Sequence, residues 1–493
     1  MNFTLDVLER LPPDGTALVE LTREGARRSF SFAEVCERSS RLAAGLLARG
    51  VRQGDVVMTL IGNRPEWVLS MCACFRIGAV ALPCNEQLRA KDLRLRIDVA
   101  RPSLIIADER NRTQLETAGP DCEVVLVPDE ALFAGEPAAP AQLHPQDPCL
   151  ITFTSGTSGE PKAVLHAQRY LLGQRLQARH WLGAGAGELV WCTAASGWSK
   201  SARNVFIAPW LLGACALLHD ARFDPHERLE LLERERVNVL CMAPTEYRVI
   251  AKRTSLRALG DLRGMVAAGE ALNPEVLHTW QAATGLEIRD GYGQTETGQL
   301  TGMGIGEQAR PGSMGRPLPG VELWIEDDEL VADPATVPTF FLGYIGEGVE
   351  RSDDGAWIVD GSRGGRSWHT GDIVSADAEG YLRFQGRNDD VIVSAGYRIG
   401  PFEVESALVA HPAVAEAAAV AAADEERGEI VRAVVVLREG HEPSGALAEE
   451  LQEHVKRQTA PYKYPRVVDF VAELPKTASG KVIRAALRAE KPG

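Results

Sequence analysis

Residues 153–167 read FTSGTSGEPKAVLHA. Positions 154–159 of this stretch are four hydroxyl side chains and two glycines, followed closely by Pro161 and Lys162. Backbone N–H groups of such a turn form an anion-binding concavity, and a lysine just beyond it adds charge where polyphosphate would lie. It is not a Walker A loop, because no G-x-x-x-x-G-K-[ST] can be laid on GTSGEPKAV. The plain alternative is a flexible Ser/Gly surface loop. The apolar run CLITF before it and the Pro-Lys after it favour a strand that ends in a phosphate loop.

Working outward, the chain alternates two periodicities. SFAEVCERSSRLAAGLLARG has helical spacing and ends at Gly50, DVVMTLI is a short buried-strand run, and PEWVLSMCACFRIG is a second helix closed by a glycine. The alternation recurs around RVNVLCMAP and DLRGMVAAGE, which predicts an α/β domain with largely parallel strands and ligands at strand ends. Beyond about residue 386 the pattern changes to short strands and two amphipathic helices, PFEVESALVAHP and GALAEELQEHVKRQTA. A domain boundary is therefore expected between Gly386 and Asp390. AVAEAAAVAAAD, residues 413–424, is in conflict: its alanines favour helix, while its place between a helix and a strand suits a strand.

Composition narrows the class. A chain of 493 residues exceeds one hydrophobic core, and 45% hydrophobic with 25% charged residues is ordinary for a globular protein. The opening MNFTLDVLERLPPDG has no signal-peptide pattern, so a cytoplasmic location is expected. Membrane insertion is not expected, because the longest charge-free run, Asn204 to His219, contains Pro209 and is shorter than the roughly 20 apolar residues of a spanning helix. Nine cysteines with no CxxC pair suggest reduced core thiols. A net charge of -15 argues against non-specific nucleic-acid binding. A polyanionic ligand must then meet locally concentrated cations, such as the basic run from Lys456 to Lys491.

Four further motifs, DGYGQTETG (290–298), WHTGD (368–372), GRNDDVIVSAGYRIGPFEVE (386–405) and PKTASGK (475–481), follow the opening loop. In order and spacing the five resemble the AMP-forming adenylating superfamily of acyl-CoA synthetases, adenylation domains and luciferases, over nearly the whole chain. SGWSKS, PWLLGAC, APTEYR and APYKYPR look most like the medium-chain acyl-CoA synthetases. The resemblance implies an α/β fold: a large N-terminal domain of mixed, largely parallel sheets flanked by helices, residues 1–387, and a small mobile α+β C-terminal domain, residues 388–493, hinged at Asp389. It implies an enzyme that joins a carboxylic acid to AMP from ATP, expels pyrophosphate, and passes the acyl group to CoA.

Residue roles follow from the same resemblance. Thr154, Ser155, Gly156, Thr157, Ser158, Gly159 and Lys162 would hold the β- and γ-phosphates. Adenine would pack on Tyr292, with Asp290 accepting from its amino group and Gly269 and Glu270 lining its other side. Thr295 would bond the α-phosphate and Glu296 would ligate Mg²⁺. Asp372 would accept from both ribose hydroxyls, and Arg387 would reach the ribose or phosphates. Lys481 would bridge the acid carboxylate and the α-phosphate as charge develops. For the thioester step the C-terminal domain would rotate about Asp389, withdraw Lys481, and present Gly396 beside pantetheine and Arg398 to the AMP phosphate.

For the acid itself, acetate-activating members of the family carry a tryptophan wall where this chain has Gly293, so room for a medium-chain, branched or aromatic acid is expected. Trp198 matches an acyl-pocket position, with Phe206, Trp210 and Tyr247 as candidate neighbours, at least two of them expected in the core instead. No fixed counter-ion for an amino group is visible. Residues 326–350, EDDELVADPATVPTFFLGYIGEGVE, compress a region that the family usually writes as a longer glycine-bounded strand pair. Delivery of the acyl group to a carrier protein, or release of acyl-AMP, is the alternative within this fold. A catalytically retired member that binds nucleotide or acyl ligand as a sensor is the alternative from a different functional class, and a homo-oligomer is left open.

Overall fold

The computed structural model describes residues 1–154, 160–270, 272, 274–352, 355–360, 365, 367–394, 397–424, 428–477 and 481–489. Ser31 starts the helix Phe32–Ala48: its hydroxyl oxygen accepts from the Glu34 N–H while the Glu34 carboxylate accepts from the Ser31 N–H. Pro65 opens the helix Pro65–Ile77, and Gly78, at φ 74°, closes it in the left-handed region that glycine adopts freely. Every residue of that second helix except Glu66 is buried, so it is packed on all sides. Its cover is two sheets. Val57, Ala81 and Leu150 of one and Leu18, Val190, Ala216 and Val239 of the other belong to the same buried cluster as this helix. Each fully buried valine or leucine among them contributes about 1.5–3 kcal/mol relative to exposure, which fixes the two sheets against the helices.

Among the described residues the strands form four sheets, of nine, nine, four and five strands. In one nine-stranded sheet Leu189–Cys192, Val239–Met242, Gly264–Ala268 and the start of Ile288–Gln294 run parallel. The chain leaving their carboxyl ends carries Trp198, Gly269 and Glu270, as expected for ligand segments of an α/β sheet. The other nine-stranded sheet holds the antiparallel pair Pro148–Phe153 and Ala163–Ala167. The Thr154 N–H donates to the Lys162 carbonyl at 2.9 Å and the Lys162 N–H to Thr154 Oγ1 at 2.9 Å, so the opening loop is cinched at its base.

The four-stranded sheet joins Leu323–Glu326, Glu329–Ala332, Trp368–Ala376 and Leu382–Arg387, and its register sets Asp372 directly opposite Arg387. Its first hairpin turns on Asp327 and Asp328 at φ 50° and 67°, the two consecutive left-handed residues that a tight two-residue turn requires. The five-stranded sheet begins at Ile392 and packs on the helices Pro401–Val409 and Gly445–Gln458. In it Val414–Asp424 is an extended strand paired along almost its whole length with Gly428–Leu437, so tertiary pairing overrides the helix propensity of the alanines. Among the described residues no helix is long and apolar enough to cross a membrane. The nine cysteines are free thiols.

Candidate active site

One continuous cavity of about 2040 Å³ runs between the large sheets, the four-stranded sheet and the C-terminal segment. Thr154, Lys162, Trp198, Gly269, Glu270, Asp290, Tyr292, Gly293, Thr295, Glu296, Asp372, Arg387, Asp389 and Lys481 all line it. Residues more than 300 positions apart in sequence are thus brought to one site. Ser155, Gly156, Thr157, Ser158, Gly159 and Gly396 lie outside the described residues, as does the Arg398 side chain; the Arg398 backbone lies in the strand Tyr397–Ile399, opposite Val393.

The buried carboxylate of Asp372 is the hub. Its Oδ2 accepts from the Tyr292 hydroxyl and, at 2.8 Å, from Gln294 Nε2, and its Oδ1 accepts from Arg387 Nη1 at 3.2 Å. Gln294 is itself oriented, giving its other amide hydrogen to the Thr370 carbonyl at 2.7 Å and accepting from Trp368 Nε1 at 3.0 Å. Burial pushes the Asp372 carboxyl up, against the opposing pull of Arg387, Tyr292 and Gln294. Beside it Asp290 is pushed up to about 8 by burial, which outweighs the N–H of Gly291 donating to it at 2.8 Å.

On the phosphate side, Lys162 pairs with Glu347 at 3.0 Å and lies 4.9 Å from the Tyr344 ring centroid. The Tyr344 hydroxyl donates to Glu296 Oε1 at 2.7 Å. Both partners come from the compressed segment, whose sequence offered no motif to single them out. Lys200 is a second addition: its Nζ donates to the Ala268 carbonyl at 3.2 Å and stands 3.4 Å from where a Cβ on Gly269 would sit. A lysine in a Ser/Gly-rich segment after a strand is the same signal that marked Lys162. Burial lowers the Lys481 ammonium from its ordinary value, Lys200 and Arg387 push the same way, and Glu270 and Asp372 oppose them.

On the acyl side, core packing claims the aromatic candidates, as expected for at least two of them, and Gly293 has a second role. Phe206, Trp210 and Tyr247 are fully buried core residues away from the cavity. Phe206 stacks edge-on with Trp67, Trp210 Nε1 donates to the Ala17 carbonyl at 3.0 Å, and the Tyr247 hydroxyl donates into the sheet, so all three serve packing. Gly293 lines the cavity, yet a Cβ there would sit 1.9 Å from the Gly298 carbonyl oxygen. The glycine permits the close approach of two strands at a bulge, beyond any enlargement of the pocket. Trp198, half-buried, lines the cavity.

The model of the AMP-binding enzyme family matches residues 6–345, and that of the AMP-binding enzyme C-terminal domain matches residues 403–481. The chain is 37% identical to human mitochondrial acyl-coenzyme A synthetase ACSM4, covering 99% of this chain and 90% of the relative. It is 38% identical to the uncharacterized acyl-CoA ligase YtcI of Bacillus subtilis, covering 96% and 92%. Among solved structures it resembles the anthranilate CoA ligase AuaEII in complex with anthranoyl-AMP, with TM-score 0.87, 29% identity and coverage of 99% and 97%. The benzoate CoA ligase of Burkholderia xenovorans LB400 matches with TM-score 0.86, 27% identity and coverage of 99% and 100%.

Proposed function

The chain belongs to the AMP-binding enzyme family, and from that premise we propose how its residues divide the work of an AMP-forming acyl-CoA ligase. The enzyme uses ATP, a carboxylic acid and CoA. The carboxylate attacks the α-phosphorus, pyrophosphate leaves, and the CoA sulfur then takes the acyl carbon from AMP.

Lys481 bridges carboxylate and α-phosphate in the first step, where a preorganised cation acts on charge that grows in the transition state. Thr295 bonds the α-phosphate, and Thr154, Lys162 and the intervening loop hold the part of ATP that departs. Asp372 takes the ribose hydroxyls, assisted by Arg387; Tyr292, Asp290, Gly269 and Glu270 take adenine. Glu296 keeps one carboxylate oxygen beyond its Tyr344 bond, in a cavity shared with the hydroxyls of Thr154 and Thr295. Such a sparse set of hard oxygens suits Mg²⁺, which retains waters and favours phosphate oxygens. Mg²⁺ held there supplies positive charge to the phosphates. Among the described residues no group of three or more His, Cys, Asp or Glu would cage a metal alone.

The boundary lies at 387/388, with Asp389 as the pivot. Arg488 Nη1 donates to the Asp389 carbonyl at 2.9 Å and pairs with Asp390, which ties the last helix to this turn. Rotation there exchanges Lys481 for Gly396 and Arg398 when CoA enters. The acid is medium-chain, branched or aromatic, a reading supported by the benzoate and anthranilate ligases among the structural relatives. Free CoA, not a carrier protein, is the acceptor. Nine free thiols support a reducing, cytoplasmic setting.

The observation that carries this assignment is the meeting of Lys481, near the chain's end, with Glu270, Asp372 and Arg387 at one cavity. The test is ATP–pyrophosphate exchange over a panel of acids, followed by addition of CoA. Acid-dependent exchange that converts to thioester supports the assignment; ligand binding without exchange for any acid would return the protein to the class of sensors.

A further inference from the structure

The cavity lining that includes Trp198 also holds a buried cation that no carboxylate among the described residues pairs. Arg203 is 4% exposed and lines the cavity near Trp198 and Lys200. Its Nε and Nη1 are sealed from solvent without a hydrogen-bond partner, and among the described residues no carboxylate pairs with it. The other buried arginine of this lining, Arg228, is matched by Glu246 at 3.4 Å. Arg203 is bordered by neutral groups: it hydrogen-bonds the Tyr170 phenol, and the adjacent Asn204 amide keeps its buried nitrogen unpartnered. A buried guanidinium with two of its nitrogens unsatisfied and no counter-charge costs several kcal/mol, so a pocket of this form calls for an acceptor from outside the chain.

The reacting carboxylate is not that acceptor. In the assignment above it lies with Lys481, which leaves Arg203, on the same cavity, for a second oxygen of the acid. His166, held neutral by burial at about 3, adds no competing charge.

We propose that Arg203 is a specificity-determining residue which binds an acceptor oxygen carried on the acyl chain, making the preferred substrate an oxo acid or a dicarboxylic acid and not a plain alkanoate. This rests on the ligase assignment above. A guanidinium presents paired N–H donors to such an oxygen, and a site built around a polar contact discriminates strongly against analogues that lack it.

The test compares hexanoate, 5-oxohexanoate and hexanedioate in ATP–pyrophosphate exchange with the wild type, Arg203→Leu and Arg203→Gln. For the wild type, kcat/KM for at least one oxygenated acid should exceed that for hexanoate at least tenfold. The keto and carboxylate arms identify which oxygen is taken. Arg203→Leu should reverse the order, losing at least tenfold on the oxygenated acid while gaining on hexanoate; if the leucine variant does not fold, judged by an ATP-induced rise in melting temperature, Arg203→Gln is read instead and should lose the preference. A wild type that favours hexanoate, or a preference that survives substitution, overturns the proposal with the ligase assignment intact. Exchange with none of the acids in the broad panel removes the assignment itself, and the proposal with it.

Discussion

Under the proposed rotation, replacing Lys481 should separate the two half reactions, because its ammonium would reach the N-terminal groups only in the arrangement that joins acid to AMP. In Lys481→Ala the cavity keeps Lys200 and Arg387, so ATP is still attracted, but the donor aimed at the transferring group is gone. Loss of one preorganised donor of this kind reduces the rate on the order of 10²–10³, or about 2.7–4 kcal/mol. The loss should fall on kcat of adenylation, with a smaller change in the KM for ATP, since the contact strengthens in the transition state. Thioester formation from supplied acyl-AMP should be spared. The pH profile adds a second readout. Burial lowers the Lys481 ammonium from 10.5, so adenylation should decline as pH rises through that lowered value, and Lys481→Arg should remove the alkaline limb because a guanidinium stays charged. Pyrophosphate exchange reports the first half reaction, and release of AMP from synthetic acyl-AMP with CoA reports the second. Wild-type exchange in Lys481→Ala, or equal loss in both halves, refutes the reasoning.

Asp290 holds its proton up to about 8, against 3.8 when unfolded, so its contribution to stability is full below about pH 4 and lost as pH rises through 8. Asp290→Asn should therefore come nearest the wild type in melting temperature at about pH 4 and gain on it by a margin that grows up to about pH 8 and then levels; a pH-independent difference would count against a buried, protonated Asp290. Glu347→Gln frees Lys162 from an exposed pair worth about 0–1 kcal/mol, so the KM for ATP should fall by less than about fivefold at low salt and converge with the wild type at high salt. An unchanged or higher KM at low salt contradicts this role for Glu347. Gly293→Ala drives a Cβ towards the Gly298 carbonyl, and overpacking of this kind costs about 1–3 kcal/mol, visible as a lower denaturation midpoint; an unshifted midpoint would show that the two strands separate freely.

How far the molecule could be read from its residues depends on how local the signal was. The glycines at 50 and 78 lie next to the ends of the helices they close, so these elements were legible in the sequence. Val414–Asp424 was not, because its state is decided by a partner strand and its alanines point the other way. The motif residues converge on the cavity because each motif is a contiguous run. Tyr344 and Glu347 escaped notice because they act through partners 48 and 185 positions away and sit in a segment without a motif. Phe206, Trp210 and Tyr247 mark the opposite limit: an aromatic side chain suits a core as well as a pocket, and only packing decides between them.

The network around Asp372 has a consequence for how nucleotide is held. In the free protein a phenol, an amide and a guanidinium already supply the donors that a ribose would bring. If the ribose is taken by Asp372 as proposed, its entry exchanges one set of hydrogen bonds for another. Adenosine alone should be a feeble visitor. On the proposed assignment the affinity for ATP should be weighted towards its triphosphate, so that the hold on AMP loosens once pyrophosphate has gone.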